Sequence, residues 1–131
     1  MTTKQLSALI ADDVLASREV LNHMLERLAV DVLAQVADGE KARAQLPADI
    51  AVPDIDMPGQ GGLEALTPIN SLAKTPWTVI VSAHSTVGNF QKAVDRGAKG
   101  FVVKPYIMAK IQQQIDNCVL AQGRAPNGPK R

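Results

Sequence analysis

Short apolar runs alternate along this chain with stretches of helical spacing. Leu6-Ser7-Ala8-Leu9-Ile10-Ala11 is almost wholly apolar, as a strand buried on both faces should be. From about Ala16 the period changes. Val20, Leu21, Met24, Leu25 and Leu28 share one helical stripe, and Ser17 suits the N-cap. His23 lies off that stripe and reads as exposed. Val30 to Val36 predicts a second strand, Asp38-Gly39 a turn, and Glu40 to Leu46 a short helix stopped by Pro47. Ile50 to Pro53 predicts a third strand ending on Asp54. After the loop Gly59-Gln60-Gly61-Gly62, the residues Leu63, Leu66 and Ile69 predict another helix. Trp77 to Val81 is the fourth strand, and Ser85 or Thr86 caps a helix through Phe90 and Val94, closed by Gly97. Gly100 to Val103 is the fifth strand, and Ile107, Ile111, Ile115 and Val119 place a last helix on the core.

Two prolines interrupt this pattern. Pro53 has no N–H, and proline is normally excluded from central strands. Either the ladder ends at Val52, or one hydrogen bond is missing there. Pro68 predicts a kink or a restart at Thr67-Pro68.

Strands alternating with helices predict βαβ units and a parallel sheet with helices on both faces. The length of 131 residues fits one domain over residues 1–122 with a tail or linker start over 123–131. That tail carries two prolines, two glycines and three basic residues. The formal charge of +1 and only four aromatic residues argue against a nucleic-acid surface. Cys118 is the single cysteine, which excludes an internal disulfide. No apolar run approaches the roughly 20 residues of a membrane helix. No signal peptide is visible, so a cytoplasmic protein is the default.

The polar residues that close the apolar runs carry the candidate chemistry. The first run ends on Asp12-Asp13, the third on Asp54, the fourth on Ser82 and the fifth on Lys104. In open α/β sheets this rim is where ligands bind. Each residue alone has an ordinary reading: a helix start, a turn former, a cap, a solvated lysine. Together they put carboxylates, a hydroxyl and an ammonium at one end of the sheet. Clustered carboxylates repel, and a shared cation relieves that. An all-oxygen set without His or Cys suits magnesium and disfavours zinc.

These motifs resemble the receiver domain of two-component response regulators, the CheY-like family. The matching pieces are Asp12-Asp13, Asp54-Ile55-Asp56-Met57-Pro58, Val81-Ser82-Ala83 and Val103-Lys104-Pro105-Tyr106, spread over roughly residues 6 to 121. The resemblance implies a flavodoxin-like fold of five parallel strands in the order 2-1-3-4-5. It implies Asp54 as the phospho-acceptor, served by a histidine kinase, a phosphotransfer protein or a small phosphodonor. Magnesium would be held by Asp13, Asp54 and the backbone carbonyl of Asp56, with Asp12 holding a bound water. Lys104 and the Ser82 hydroxyl would take phosphoryl oxygens, and Lys104-Pro105 would be a cis peptide aiming the lysine. Ser82 and Phe101 would form a switch that reshapes a surface for a downstream partner or a second copy, and His84 would tune phosphate lifetime. Such a module is not a conventional enzyme; it takes a phosphoryl group and hydrolyses it from itself.

Other readings stay open at this stage. Pro53, and Gly61 where the family often has an acidic residue, would suit a pseudo-receiver that binds partners without phosphorylation. The chain could also be the isolated receiver of a larger regulator or hybrid kinase, although no helix-turn-helix is visible in it. A flavodoxin fits poorly, because no Ser/Thr-rich phosphate loop follows the first strand.

Overall fold

The computed structural model describes residues 6–37, 48–55, 63–64, 76–83 and 87–121. Eight elements follow one another: β1 (Ser7–Ala11), α1 (Leu15–Arg27), β2 (Asp31–Val36), β3 (Ile50–Pro53), β4 (Trp77–Ser82), α2 (Val87–Asp95), β5 (Gly100–Val103) and α3 (Met108–Ala121). The strands form one parallel sheet in the order β2-β1-β3-β4-β5. The expected flavodoxin-like topology is therefore present. The helix expected over Glu40 to Leu46 and the break expected at Pro68 lie outside the described residues.

Both faces of the sheet are covered, and strand parity shows it. Ala8, Ile10, Val79 and Val81 point to one side, where Leu21 and Leu25 of α1 and Ile111, Ile115, Cys118 and Val119 of α3 meet them. Ile80 points the other way, into a cluster with Leu63 and Ala93 of α2. Because both faces are buried, β1, β3 and β4 read as continuous apolar runs. The edge strand β2 instead alternates exposed and half-buried residues, and a bulge at its pairing with β1 turns Leu33 outward.

The expected start of α1 needs correction. The helix begins at Leu15, so Ser17 lies inside it, and Val14 occupies the cap position without a side-chain cap bond. Burying Leu21 and Leu25 contributes roughly 1.5–3 kcal/mol each, more than the ~1 kcal/mol of a cap. Packing therefore holds α1 without a cap. Val20 is 47% exposed and does not belong to the core stripe. Ile107 is likewise 53% exposed and precedes α3; Ile111, Ile115 and Val119 are buried as expected. His23 is exposed.

The other end of α1 is a Schellman turn. Val30 N–H donates to the Leu25 carbonyl and Ala29 N–H to that of Glu26, at 2.9 and 3.0 Å. The left-handed residue, usually glycine, is Ala29 with φ 62°. Gly97, with φ 94°, fills the equivalent place after α2, as its position in the sequence implies.

At the N-terminal edge of the sheet, Ser7 and Asp49 fix the β1–β3 register. Ser7 N–H and Oγ–H both donate to Asp49 Oδ2, and Asp49 N–H donates to Ser7 Oγ. Trp77 begins β4 beside them, donating its backbone N–H to the Asp49 carbonyl. The Lys99 ammonium lies 6.0 Å from the centre of its ring.

Candidate functional site

At the opposite edge, each residue just past a strand is tied back to its neighbour. Asp12 N–H donates to the Val36 carbonyl and Asp54 N–H to that of Ala11. Ile55 N–H donates to the Val81 carbonyl and Lys104 N–H to that of Ser82. These four bonds, 2.8–3.0 Å long, carry the sheet's regularity past the strand ends. They fix the backbones of Asp12, Asp54 and Lys104 before any side chain is considered.

Pro53 sits inside this frame. It belongs to β3, is buried and pairs with Ala11. Strand N–H groups alternate sides; since that of Asp54 faces β1 and that of Ile55 faces β4, the missing one at Pro53 faces β4. The β3–β4 pairing accordingly covers Ile50 and Ala51, then returns only as a bridge between Asp54 and Val81. Of the two outcomes the sequence left open, the second holds. One donor is missing, and Asp54 is anchored from β1 instead.

The side chains of Asp12, Asp13, Asp54 and Lys104 meet at this edge. Asp12, Asp54 and Ser82 are buried, while Asp13 is exposed. One carboxylate oxygen from each of Asp12, Asp13 and Asp54 lies within 4.8 Å of the others. Two like unit charges at that distance repel by about 3 kcal/mol at an effective dielectric of 20. Lys104 offsets part of this. Its Nζ donates to Asp12 Oδ2 and to Asp54 Oδ2, both at 2.7 Å. It is thus no solvated surface lysine. Burial by itself depresses the Lys104 pKa, but the hydrogen bonds and charges of Asp12 and Asp54 outweigh it and hold the pKa above its ordinary value. Among the described residues one ammonium is paired with this group of three carboxylates, which leaves it an excess of negative charge.

The two adjacent aspartates differ. Asp12 Oδ1 accepts the Val14 N–H at 2.9 Å, an Asx turn that leads the chain into α1. Its Oδ2 accepts from Lys104, so both oxygens are engaged. Among the described residues Asp13 makes no side-chain hydrogen bond, which leaves it the freest ligand. The donors are oxygens only, partly open to water, and they suit a hard divalent cation that keeps some of its waters.

Three nearby features were not legible in the sequence. Arg18 Nη1 donates to the Asp12 carbonyl at 2.6 Å; an arginine one turn into a helix looks like any surface arginine. The Tyr106 hydroxyl is buried without a partner among the described residues. Burial, then the charges of Asp12 and Asp54, push its pKa up. A cavity of ≈ 180 Å³ lined by Ala16, Ser17, Val20, Lys104, Pro105 and Tyr106 opens beside the ammonium. The Lys104-Pro105 peptide is cis, as the resemblance implies. Phe101 is half-buried and meets Phe90 edge-to-face, with ring centres 5.7 Å apart. Asp56 and His84 lie outside the described residues.

Comparison with known proteins agrees with this geometry. The family model of the response regulator receiver domain matches residues 8–116. Protein-glutamate methylesterase/protein-glutamine glutaminase 2 of Koribacter versatilis is 34% identical over 111 residues, 80% of this chain, which spans only 30% of that relative. Chemotaxis protein CheY of Listeria monocytogenes is 29% identical over 114 residues, covering 85% of this chain and 96% of that protein. Among solved structures, a chain of the CheX-CheY-BeF3-Mg complex from Borrelia burgdorferi superposes with a TM-score of 0.80 at 27% identity, covering 86% of this chain and 87% of that one. The signal receiver domain of the response regulator NarL from Mycobacterium tuberculosis gives a TM-score of 0.81, also at 27% identity, covering 93% and 100%.

Proposed function

The chain belongs to the response regulator receiver family, and from that premise we propose that it is switched by phosphorylation of Asp54. The observation that carries this reading is the Lys104 ammonium shared between the buried carboxylates of Asp54 and Asp12. A histidine kinase or a phosphotransfer protein supplies the phosphoryl group. An Asp54 carboxylate oxygen attacks phosphorus, the O–P bond forms, and the N–P bond of the donor phosphohistidine breaks. The imidazole leaves with the bonding pair and picks up a proton from solvent. Lys104 passes from the Asp54 carboxylate to a phosphoryl oxygen, a short shift for an ammonium already 2.7 Å away. The buried Ser82 hydroxyl donates to another. Attack of water on phosphorus later releases phosphate and restores the carboxylate.

Magnesium, when bound, neutralises charge on the phosphoryl oxygens. Asp13, Asp54 and the Asp56 carbonyl would hold it, with Asp12 behind a water. Pro53, one of the two residues that suited a pseudo-receiver, leaves the Asp54 N–H bonded and its side chain in the cluster, which supports the phosphorylation reading; Gly61 lies outside the described residues. The output runs through Ser82 and Phe101: inward rotation of Phe101 breaks its edge contact with Phe90 and changes the α2–β5 surface for a partner or a second copy. The protein acts in the cytoplasm. Among the described residues no helix is long and apolar enough to cross a membrane.

Intact mass after incubation with acetyl phosphate and magnesium tests the reading. One added phosphoryl group is expected in wild type and none in Asp54→Ala. An unchanged wild-type mass with several donors would sink it.

A further inference from the structure

Asp12 is unusual in having every polar atom committed. Its N–H goes to Val36, Oδ1 takes the Val14 N–H, Oδ2 takes Lys104, and its carbonyl takes Arg18. Three of these bonds fix Asp12 itself. The fourth acts on the next residue, because the Asp12 carbonyl lies in the rigid peptide plane that ends at the Asp13 Cα. We infer that Arg18 is a positioning residue. Its guanidinium clamps that plane so that the Asp13 carboxylate, which makes no side-chain hydrogen bond among the described residues, is presented to the divalent cation. The inference rests on the reading of the acidic cluster as a magnesium site.

The clamp has a firm anchor. Arg18 stands on the first turn of α1, its own N–H bonded to the Val14 carbonyl at 3.1 Å, and buried Leu21 and Leu25 hold the helix to the sheet. A guanidinium bond to a carbonyl is charge-assisted and stronger than a neutral one. It also survives the phosphorylated state. When Lys104 moves toward a phosphoryl group, Asp12 loses its Oδ2 partner but keeps Arg18, so the loop does not relax at the moment the cation is needed.

The inference predicts the opposite sign from simple electrostatics. Removing a positive charge beside clustered carboxylates would by itself tighten cation binding. Removing a clamp loosens it. Calorimetric titration of the full chain with magnesium chloride separates the two, for wild type, Arg18→Ala, Arg18→Gln and Asp13→Asn. Arg18→Ala should bind at least about fivefold more weakly, the scale of one hydrogen bond. Arg18→Gln, which keeps a neutral N–H donor, should recover part of the loss. Asp13→Asn should bind most weakly. Metal-free melting temperatures are recorded alongside; a merely structural arginine would lower them and leave the magnesium affinity alone. Unchanged or tighter binding in Arg18→Ala, with wild type binding normally, overturns the inference and leaves the magnesium site standing. Absence of binding in wild type removes both.

Discussion

The Lys104 ammonium and the Asp54 carboxylate, 50 residues apart in the chain, are held 2.7 Å from each other. The contact serves two ends. It offsets repulsion between buried Asp12 and Asp54 and, on the proposed function, stations a cation where a phosphoryl group would arrive. Removing the ammonium should therefore be costly only while no other cation is present. Lys104→Met is expected to lose about 2 kcal/mol in metal-free buffer, less than for a fully buried pair because the ammonium keeps some contact with water. Magnesium should restore much of that loss, so its melting shift should be larger in the variant than in wild type. Urea melts with and without magnesium check this; equal shifts in both proteins would refute it.

Asp13 should show the reverse. It is exposed, makes no side-chain hydrogen bond among the described residues, and faces two other carboxylates. Asp13→Asn removes repulsion and should stabilise the metal-free protein by about 0.5–1 kcal/mol. The same change should abolish most of the stabilisation by magnesium. A variant that is both less stable and fully magnesium-responsive would contradict the assignment.

Alkaline pH should weaken the fold through two groups. Lys104 has a pKa held above its ordinary 10.5 in the folded state, so its contribution is complete below that pH. It is lost as pH rises through the folded value. Tyr106 is raised above 10.0 by burial and by the same two aspartates, and deprotonation of the buried phenol acts in the same direction. Stability should be level in neutral buffers with respect to both groups and fall above about pH 10. Urea midpoints measured across that range should fall less steeply in Lys104→Met than in wild type.

Ala29 invites a stabilising change. An alanine with φ 62° carries a steric penalty that glycine avoids. Ala29→Gly should add about 1 kcal/mol without touching the site, read as a higher melting temperature with unchanged magnesium affinity.

How far the sequence reveals these features depends on their range. The places of Asp12, Asp13, Asp54, Ser82 and Lys104 at the strand ends were legible because each closes an apolar run, and buried parallel strands write themselves as such runs. The sheet order came from resemblance. The phase of a helix at its first turn was not legible. Val20 and Ile107 fit the core period, yet the chain enters α1 and α3 in ways that leave them exposed. The start of α1 was hidden for a related reason: the turn is made by Asp12 through Val14 rather than by a cap at Ser17. The clamp by Arg18 is a side chain reaching a carbonyl six residues back, which no periodicity marks.

Trp77 is the protein's only tryptophan. It opens β4, and Ser82 closes the same strand, so roughly 16 Å of extended chain separate the indole's backbone from the acidic cluster. Its half-buried ring packs on the main core under Lys99. The strongest intrinsic fluorophore thus watches the base of the sheet and not the chemistry at its rim. Tryptophan emission should follow global unfolding faithfully and stay silent when the carboxylates take up a cation. One optical signal then isolates stability from occupancy in every titration of this chain.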